Sequence, residues 1–390
     1  MATLSKVNEQ YSNLFGTAAM LLQSPGRINL IGEHTDYNLG CVLPAAIDKY
    51  IFMAIGTRAD DAINLVSADF DDQYSASLDK LEPAWKLWPN YILGVINEFK
   101  NAGKYVGGIN LVLGGDIPIS AGMSSSAAIC TGTAFALNKL FNAGFTKLEL
   151  AKIAVAAEHN YLKVKCGLMD PYVNLYGKER SFVKLNCRTE EHQYVPFDND
   201  QIKIVLFNSG VRHNFIKLAS AFHTLREHCA TGLALIQKHA PHISSLPEVP
   251  KAMLEILKPH DQDVYKRCLY IVEESERLER LCDDLMTGDF KSAGQRLFES
   301  HEGLRNLYQV SCEECDFLVD TVKEIPGVLG ARMMGAGFGG CTINLVESEA
   351  VDEVIKRVKG RYNGSFAKDV KVYHASIGSG TEEVSLVSVL

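Results

Sequence analysis

The chain has 390 residues, 47% of them hydrophobic and 22% charged, and its formal net charge at pH 7 is −8. This length predicts two or three domains, and the acidic balance argues against a nucleic-acid partner or a role at a membrane surface. No segment reaches about 18 apolar residues. The N-terminal stretch MATLSKVNEQYSNLF lacks the features of a signal peptide, so we expect a cytoplasmic protein. Ten scattered cysteines, with Cys312 and Cys315 as the one close pair, predict reduced thiols rather than a zinc site.

The chain opens with a predicted helix over Leu4–Phe15, followed by three short apolar segments that predict strands over 19–22, 27–31 and 50–55. Arg27 lies in the second of these strands among apolar neighbours. Because a buried charge is costly unless it is paired or used, an arginine here indicates a functional site.

The loop GEHTDYNLG connects the second and third of these strands and carries Glu33, His34 and Asp36. A solvated turn would hold these polar side chains at no cost. The alternative is a polar site that the loop builds together with Arg27.

Both tryptophans lie in the stretch AWKLWPNYILGVINEF, whose apolar spacing from Tyr91 onward predicts a helix. Trp88 and Tyr91 have two interpretations. They are either aromatic residues of the core, or a flat wall on which a nucleotide base could stack.

Residues 114–128, GGDIPISAGMSSSAA, are the most distinctive stretch. A β-branched strand is predicted before it, over 109–113, and a helix after it, over 124–141. Together they present free backbone N–H groups and a positive helix end, which suit a phosphate. One serine would suffice to cap the helix, so three in a row favour an anion site. The Gly-Lys-Ser/Thr ending of a Walker A loop is missing, so a nucleotide would be held without the usual lysine.

Two carboxylates follow in largely apolar surroundings. Thr146 and Glu149 predict a capping box for a helix over 146–161, and Glu158 lies on its small-residue side. Glu158 is either a salt-bridge partner or a cation ligand. Asp170 precedes a proline, so it is either the N-cap of a helix or a general base.

The chain from about 215 to 323 is mostly helical by its amphipathic spacing, with segments over 216–239, 249–258, 262–286, 289–308 and 311–323. A strand over 342–346, a helix near 350–359 and the strand KVYHASI follow. Gly335 to Gly340 formally matches GxGxxG, but a strand comes after it where a dinucleotide fold needs a helix. A tight turn or a close approach of backbone to a ligand explains these glycines better.

Three motifs far apart in the chain now have one explanation. GRINLIGEHTDYNLG, IPISAGMSSSAA and GAGFGGC, with CGLMD and NSGVRH between the last two, resemble in order and spacing the motifs of the galactokinases of the GHMP small-molecule kinase family. The resemblance implies an α+β fold of two domains with the active site in the cleft between them. Residues 1–197, with a returning strand at about 366–390, would form a mixed-sheet domain with a left-handed βαβ unit, and 198–365 an α+β domain.

The resemblance also implies roles by position. Asp170 and Arg27 occupy the catalytic positions. The positions that hold the sugar are Glu33, His34, Asp36, Gly167 and Phe222. The positions that hold ATP are Trp88, Tyr91, Gly122, Ser124, Ser125, Ser126, Gly335 and Gly337. Ser126 and Glu158 would bind Mg²⁺.

The activity implied is ATP-dependent phosphorylation of C1 of galactose by a monomer. Four positions depart from the galactokinase pattern: Ser120, Cys130, Pro171 and Phe222, the last standing where a sugar-contacting tyrosine is common. Three of them resemble the N-acetylgalactosamine kinases of the same family, so that sugar, or another like galactose, is an alternative substrate. A non-catalytic sensor of galactose and ATP is the alternative of another class, although the full catalytic set argues against it. The EHTDY loop argues against a mevalonate or homoserine kinase.

Overall fold

The computed structural model describes residues 3–118, 121–211 and 215–385. Its α-helices are α1 (Leu4–Phe15), α2 (Leu87–Asn101), α3 (Ser125–Leu140), α4 (Lys147–Ala156), α5 (Met169–Tyr176), α6 (Phe215–Gln237), α7 (Gln262–Met286), α8 (Phe290–Glu302), α9 (Glu313–Lys323) and α10 (Val351–Phe366). Its strands are β1 (Met20–Asn29), β2 (Cys41–Val42), β3 (Pro44–Thr57), β4 (Ala62–Ser67), β5 (Asp72–Ser77), β6 (Ile109–Gly115), β7 (Ser181–Asn186), β8 (His192–Pro196), β9 (Ile202–Asn208), β10 (Val328–Met333), β11 (Cys341–Glu347), β12 (Lys371–Ala375) and β13 (Glu382–Glu383).

The first sheet has six strands in the order β13-β1-β3-β6-β4-β5. Strands β4 and β6 run parallel, the one such pair among the strands described here, so the sheet is mixed. Helix α1 packs on one face, and the large core between the sheet and helices α2, α3 and α4 fills the other. The handedness of the crossover from β4 to β6 stays a prediction.

Strand β1 is continuous, whereas the sequence predicts two strands separated at Ser24-Pro25-Gly26. The pairing with β3 runs through this stretch, with one irregularity between Pro25 and Arg27. Ser24 is fully buried, and its hydroxyl bonds those of Thr131 (3.1 Å) and Thr381 (2.9 Å). A proline at a bulge keeps the strand intact, and these bonds satisfy the serine.

The second sheet is antiparallel, with the order β10-β11-β9-β12, and a small third sheet has the order β2-β7-β8. Of the segment predicted to return to the first domain, Glu382–Glu383 pairs with β1, whereas Lys371–Ala375 pairs with β9 in the second sheet. The domain boundary at 197/198 stays a prediction.

The helical segments differ from expectation mainly in type. The predicted helix over 249–258 is a 3₁₀-helix, Lys251–Leu257, and both α4 and α8 continue into a π-helix, over Ala157–Tyr161 and Gly303–Tyr308. Of the helices in the described part of the chain, none has the length and apolar character needed to cross a membrane.

Arg332, a fully buried guanidinium at the end of β10, joins the two larger sheets. It donates to the carbonyls of Asn29 and Leu30, each at 2.6 Å, and to that of Met333 at 2.6 Å. It also donates to Glu33 Oε1 at 2.9 Å. Because three of these four contacts are to Asn29, Leu30 and Glu33, in β1 or in the loop after it, Arg332 ties β10 to the end of β1.

Candidate active site

The serine loop leads from β6 into α3. Gly122 is exposed and has φ +73°, and Ser124, just before α3, also lies in the left-handed region with φ 56°. Ser125 and Ser126 form the first turn of the helix and are half-buried. The loop thus leaves the N-terminus of α3 accessible, as an anion site requires. Ser120 lies outside the described residues.

Asp170 faces this loop. Arg27 Nε donates to Asp170 Oδ1 at 2.6 Å and Arg27 Nη2 to Oδ2 at 2.7 Å, a bidentate pair. The Ser124 hydroxyl also donates to Asp170, and Arg27 Nη1 donates to the carbonyl of Gly122. Helix α5 begins at Met169 with no side chain capping it, so the capping interpretation of Asp170 is wrong.

Glu158 lies on the π-helix after α4 and is buried. Burial first, and then the charge of Asp170, raise its pKa from 4.5 to about 7, partly offset by a hydrogen bond with Ser126. Glu158 has no ion pair with any residue in the described ranges, which argues against the salt-bridge interpretation. A buried carboxylate and a hydroxyl are oxygen ligands that suit Mg²⁺, which usually keeps waters and phosphate oxygens as its other ligands. These residues therefore fit the ion.

Asp36 is brought next to Gly167 and towards Asp170. A Cβ atom added to Gly167 would collide with Asp36 Oδ2. Asp36 is half-buried as a whole residue, but protein surrounds its carboxylate. This burial is the main cause that raises the pKa of Asp36 to about 6. The charges of Glu33 and Asp170 raise it further, so the three carboxylates share one neighbourhood.

Glu33 ties the same loop to the glycine-rich hairpin. Its Oε1 accepts from Arg332 at 2.9 Å and from the backbone N–H of Gly335 at 2.7 Å, and the Tyr270 hydroxyl donates to its carbonyl at 3.1 Å. These bonds hold Glu33 to β10, to the hairpin and to α7.

His34 is buried beside Glu33 with φ 66°. Its Nδ1 lies 2.8 Å from the Tyr37 hydroxyl, and its Nε2 makes no hydrogen bond with any residue that the structure describes. Burial is the main cause that lowers its pKa to about 3, so the ring is neutral at working pH. The ring of Phe222 lies 6.3 Å away, centroid to centroid, and that of Phe338 5.9 Å from Phe222.

The two predicted adenine-binding aromatics lie at the start of α2. Trp88 Nε1 donates to Asp72 at 2.9 Å. Tyr91 lies near Glu158, whose charge adds to burial in raising the Tyr91 pKa to about 12. Both rings are half-buried against the main core, so each keeps a surface that a base could contact.

The hairpin glycines serve a turn between strands, as predicted. Gly335 has φ +89° with open space around it, and Gly337 has φ +101°. A side chain at Gly337 would collide with the backbone of Val310. The segment between β10 and β11 is therefore not a dinucleotide fingerprint.

Sequence reasoning missed two buried charges that hold the EHTDY loop. Besides Arg332, Glu274 on α7 is fully buried, and its Oε1 accepts from the Gly32 N–H at 3.0 Å and from Ser300 at 2.7 Å. Arg277 pairs with the other oxygen of Glu274. Neither charge belongs to a local motif. The one signal that could have revealed them is a charged residue in an otherwise apolar face of a helix or strand.

Three family signatures match the chain. They are the galactokinase galactose-binding signature over residues 9–57, the GHMP kinases N terminal domain over 90–178 and the GHMP kinases C terminal over 279–364.

Individual relatives match along nearly the full length. The galactokinase of Thermotoga neapolitana is 36% identical over 365 residues, 94% of this chain and 100% of that one, and the galactokinase of Clostridium tetani is 35% identical over 386 residues, 98% of each. The crystal structure of Lactococcus lactis galactokinase complexed with galactose has a TM-score of 0.91 at 32% identity, covering 98% of this chain and 100% of that chain. The Methanococcus jannaschii mevalonate kinase, at 19% identity and a TM-score of 0.62 over 94% and 100% of the two chains, shares the fold.

Proposed function

The chain belongs to the galactokinases of the GHMP kinase family, and on this premise we propose that it transfers the γ-phosphoryl group of ATP to the C1 hydroxyl of galactose. The observation that carries the proposal is the position of Asp170, which is bonded to Arg27 on one side and to Ser124 of the serine loop on the other. A sugar hydroxyl beside this carboxylate would lie next to a triphosphate on the loop, as in-line transfer requires.

Asp170 is the proposed general base. It would accept the proton of the C1 hydroxyl as the oxygen attacks the γ-phosphorus. Arg27 would hold the carboxylate through its two hydrogen bonds and, with its positive charge, stabilise negative charge on the attacking oxygen.

The serine loop is the proposed phosphate cradle. Backbone N–H groups at the start of α3, with the hydroxyls of Ser124, Ser125 and Ser126, would bind the triphosphate, and Gly122 would let the chain approach it closely. Trp88 and Tyr91 would border the adenine. Gly335 and Gly337 would keep the hairpin backbone near the nucleotide.

Ser126 and Glu158 are the proposed protein ligands of Mg²⁺. Two observations support this assignment. The two side chains are hydrogen-bonded to each other, and Glu158 forms no ion pair with a lysine, arginine or histidine among the described residues. When bound, the ion supplies positive charge that neutralises the phosphate oxygens.

The sugar would lie against the EHTDY loop. Glu33, His34 and Asp36 offer polar atoms to a sugar hydroxyl, of which His34 Nε2 is buried with no hydrogen-bond partner among the described residues, and Gly167 leaves the space that the Asp36 carboxylate needs. Discrimination among sugars would be strict because a missing hydroxyl would leave a buried polar atom unpaired.

N-acetylgalactosamine is the second candidate substrate, favoured by one observation. Phe222 gives an apolar ring between His34 and Phe338, where a tyrosine would offer a hydroxyl to the sugar. A larger substituent could pack on this ring. Cys130, a further departure, is buried in the core and gives no such contact.

The test is ADP release, measured by a coupled assay with Mg-ATP, on galactose, N-acetylgalactosamine, fucose, arabinose and glucose. We expect the highest kcat/KM with galactose. A preference for N-acetylgalactosamine would support the alternative substrate. Absence of turnover on every sugar, with galactose and ATP still binding in calorimetry, would support the sensor.

We further propose that the protein works as a monomer in the cytoplasm, with the sugar and ATP as its partners and no nucleic-acid or membrane partner. Light scattering during size-exclusion chromatography should give the mass of one chain. A dimer mass at micromolar concentration would contradict this.

A further inference from the structure

A row of hydrogen-bonded side chains extends from the EHTDY loop, residues 33–37, into the helical part of the chain. His34 Nδ1 and the Tyr37 hydroxyl are 2.8 Å apart, and the hydroxyls of Tyr37 and Tyr308 are also 2.8 Å apart. The Tyr308 hydroxyl then lies 3.5 Å from Cys229 Sγ. Tyr308 is fully buried at the end of a π-helix and Cys229 is buried on α6, so the row ends in protein and not in solvent.

The direction of the protons along this row follows from its strongest acceptor, the His34 ring. The unprotonated nitrogen of a neutral imidazole accepts a hydrogen bond better than a phenol oxygen does, so the Tyr37 hydroxyl donates to His34 Nδ1 and the ring proton lies on Nε2. A neutral ring with its proton on Nε2 must accept at Nδ1. Tyr37 is then the donor to His34, Tyr308 the donor to Tyr37, and Cys229 the donor to Tyr308.

Arg226 strengthens this polarity. Its guanidinium lies over the Tyr37 ring, 4.6 Å from the ring centroid, and its Nε is buried with no partner among the residues in the described ranges. A cation over the ring draws electron density away from the phenol oxygen and makes its O–H a better donor. At the far side of His34, Nε2 carries a proton and makes no hydrogen bond with a described residue.

We propose that Tyr37 and Tyr308 are positioning residues that keep His34 in the single tautomer with its proton on Nε2, so that the ring presents one fixed donor to an oxygen of the sugar. The proposal rests on the proposed sugar kinase function and concerns how that site selects its substrate. The proposal explains why a buried nitrogen has no hydrogen-bond partner among the described residues: its N–H gains an acceptor when a sugar oxygen enters the site.

The first experiment reads the tautomer without turnover. Long-range ¹H–¹⁵N correlation spectra of the ¹⁵N-histidine-labelled, sugar-free protein distinguish protonated from unprotonated ring nitrogens, and the His34→Gln variant identifies the His34 signals. We expect a neutral ring with Nε2 protonated from pH 8 to pH 5. In Tyr37→Phe, which removes the donor to Nδ1, a second signal set with Nδ1 protonated should appear. A protonated Nδ1 in the unmodified protein would overturn the proposal.

The second experiment separates positioning from stability. Tyr37→Phe should raise the KM for galactose about tenfold and Tyr308→Phe about threefold, each with kcat and the KM for ATP changed by less than about twofold. The matched control is Tyr362→Phe, at a tyrosine as fully buried as Tyr308, whose hydroxyl donates to the Ser209 carbonyl at 2.7 Å, away from the EHTDY loop. It should leave both KM values unchanged.

Two kinetic results would contradict the proposal. One is an unchanged galactose KM in both variants, and the other is a fall in kcat with no change in KM. If the unmodified protein phosphorylates no sugar, the proposed function fails, whereas the tautomer remains readable from the spectra, so the two failures are distinguishable.

Discussion

Asp170 and Glu158 are two carboxylates of one site that differ in their partners. Asp170 has a bidentate arginine, whereas the buried Glu158 carboxylate has, among the residues that the structure describes, the Ser126 hydroxyl as its polar partner. Opposite environments of this kind give neighbouring acids different roles. The proposed roles follow the same division, with Asp170 as base and Glu158 as metal ligand.

Glu158→Gln should stabilise the metal-free protein at pH 8. Because the pKa of Glu158 is raised from 4.5 to about 7, the folded protein holds a proton that the unfolded chain has released between these pH values. Stability is therefore lost as pH rises through this window, and the full cost is present above pH 7. Glutamine removes the charge, and we expect a gain of about 1–3 kcal/mol at pH 8 and almost none at pH 4.

The measurement is chemical denaturation at both pH values without Mg²⁺. Glu276→Gln, at a half-exposed side chain, should change the free energy of unfolding by less than about 0.5 kcal/mol. A gain of the same size at pH 4 and pH 8 would show that burial of the charge is not its cause. With Mg-ATP, the Glu158→Gln variant should need more Mg²⁺ for half-maximal turnover.

Gly167→Ala should weaken sugar binding alone. The added methyl group would collide with the Asp36 carboxylate and displace it. We expect the galactose KM to rise about tenfold and the ATP KM to stay within about twofold, measured by the coupled assay. Gly360→Ala, on α10 with no atom near its Cβ position, is the control and should change neither. An unchanged galactose KM would place the sugar away from Asp36.

At the scale of elements, two strands and the start of one helix organise the site. Strand β1 carries Arg27 and leads into the EHTDY loop, while β6 leads into the serine loop and α3. The GHMP kinase fold predicted from the motifs is confirmed. Helices α1 and α7 have the predicted bounds because a regular apolar spacing over many residues specifies a helix well.

Other elements could not be read from the sequence, for physical reasons. The continuity of β1 through Ser24-Pro25-Gly26 depends on hydroxyl partners far along the chain, Thr131 and Thr381. The π-helices over Ala157–Tyr161 and Gly303–Tyr308 differ from an α-helix in that their hydrogen bonds span five positions instead of four, which short stretches of sequence do not reveal.

Gly337→Ala should destabilise the hairpin more than Gly335→Ala. Both glycines have positive φ, so each alanine costs about 1 kcal/mol in backbone strain. At Gly337 the methyl group also meets the Val310 backbone, whereas at Gly335 the space is open. We expect a loss of about 1 kcal/mol for Gly335→Ala and about 3 kcal/mol for Gly337→Ala in urea denaturation. Equal losses would show that the hairpin can move away from Val310.

At the scale of the whole molecule, buried charges connect the two larger sheets. Local motifs revealed Arg27, the EHTDY loop and the serine loop, because each has a recognisable sequence pattern. Arg332 and Glu274 have partners about 240 to 300 positions away, and such pairs leave no local pattern. The sequence therefore predicts which residues form the candidate site better than it predicts the buried charges that hold these residues in place.

Arg332→Met should destabilise the protein strongly. The change removes the partner of the buried Glu33 carboxylate and leaves three backbone carbonyls with one donor fewer. We expect a loss of about 3–5 kcal/mol in chemical denaturation, since breaking a buried pair leaves an uncompensated charge. Arg361→Met, which breaks a half-exposed pair with Glu324, should cost less than about 1 kcal/mol. Similar losses in the two variants would mean that Arg332 does not join the sheets.

The central claim is that a carboxylate at position 170 activates the sugar opposite a nucleotide held by the serine loop. Its most direct test is the turnover of Asp170→Asn with saturating galactose and Mg-ATP. We predict a fall of at least about 10³-fold in kcat, with ATP affinity in calorimetry within about threefold of the unmodified protein, because asparagine keeps the shape and loses the base. Turnover within tenfold of the unmodified enzyme would contradict the account.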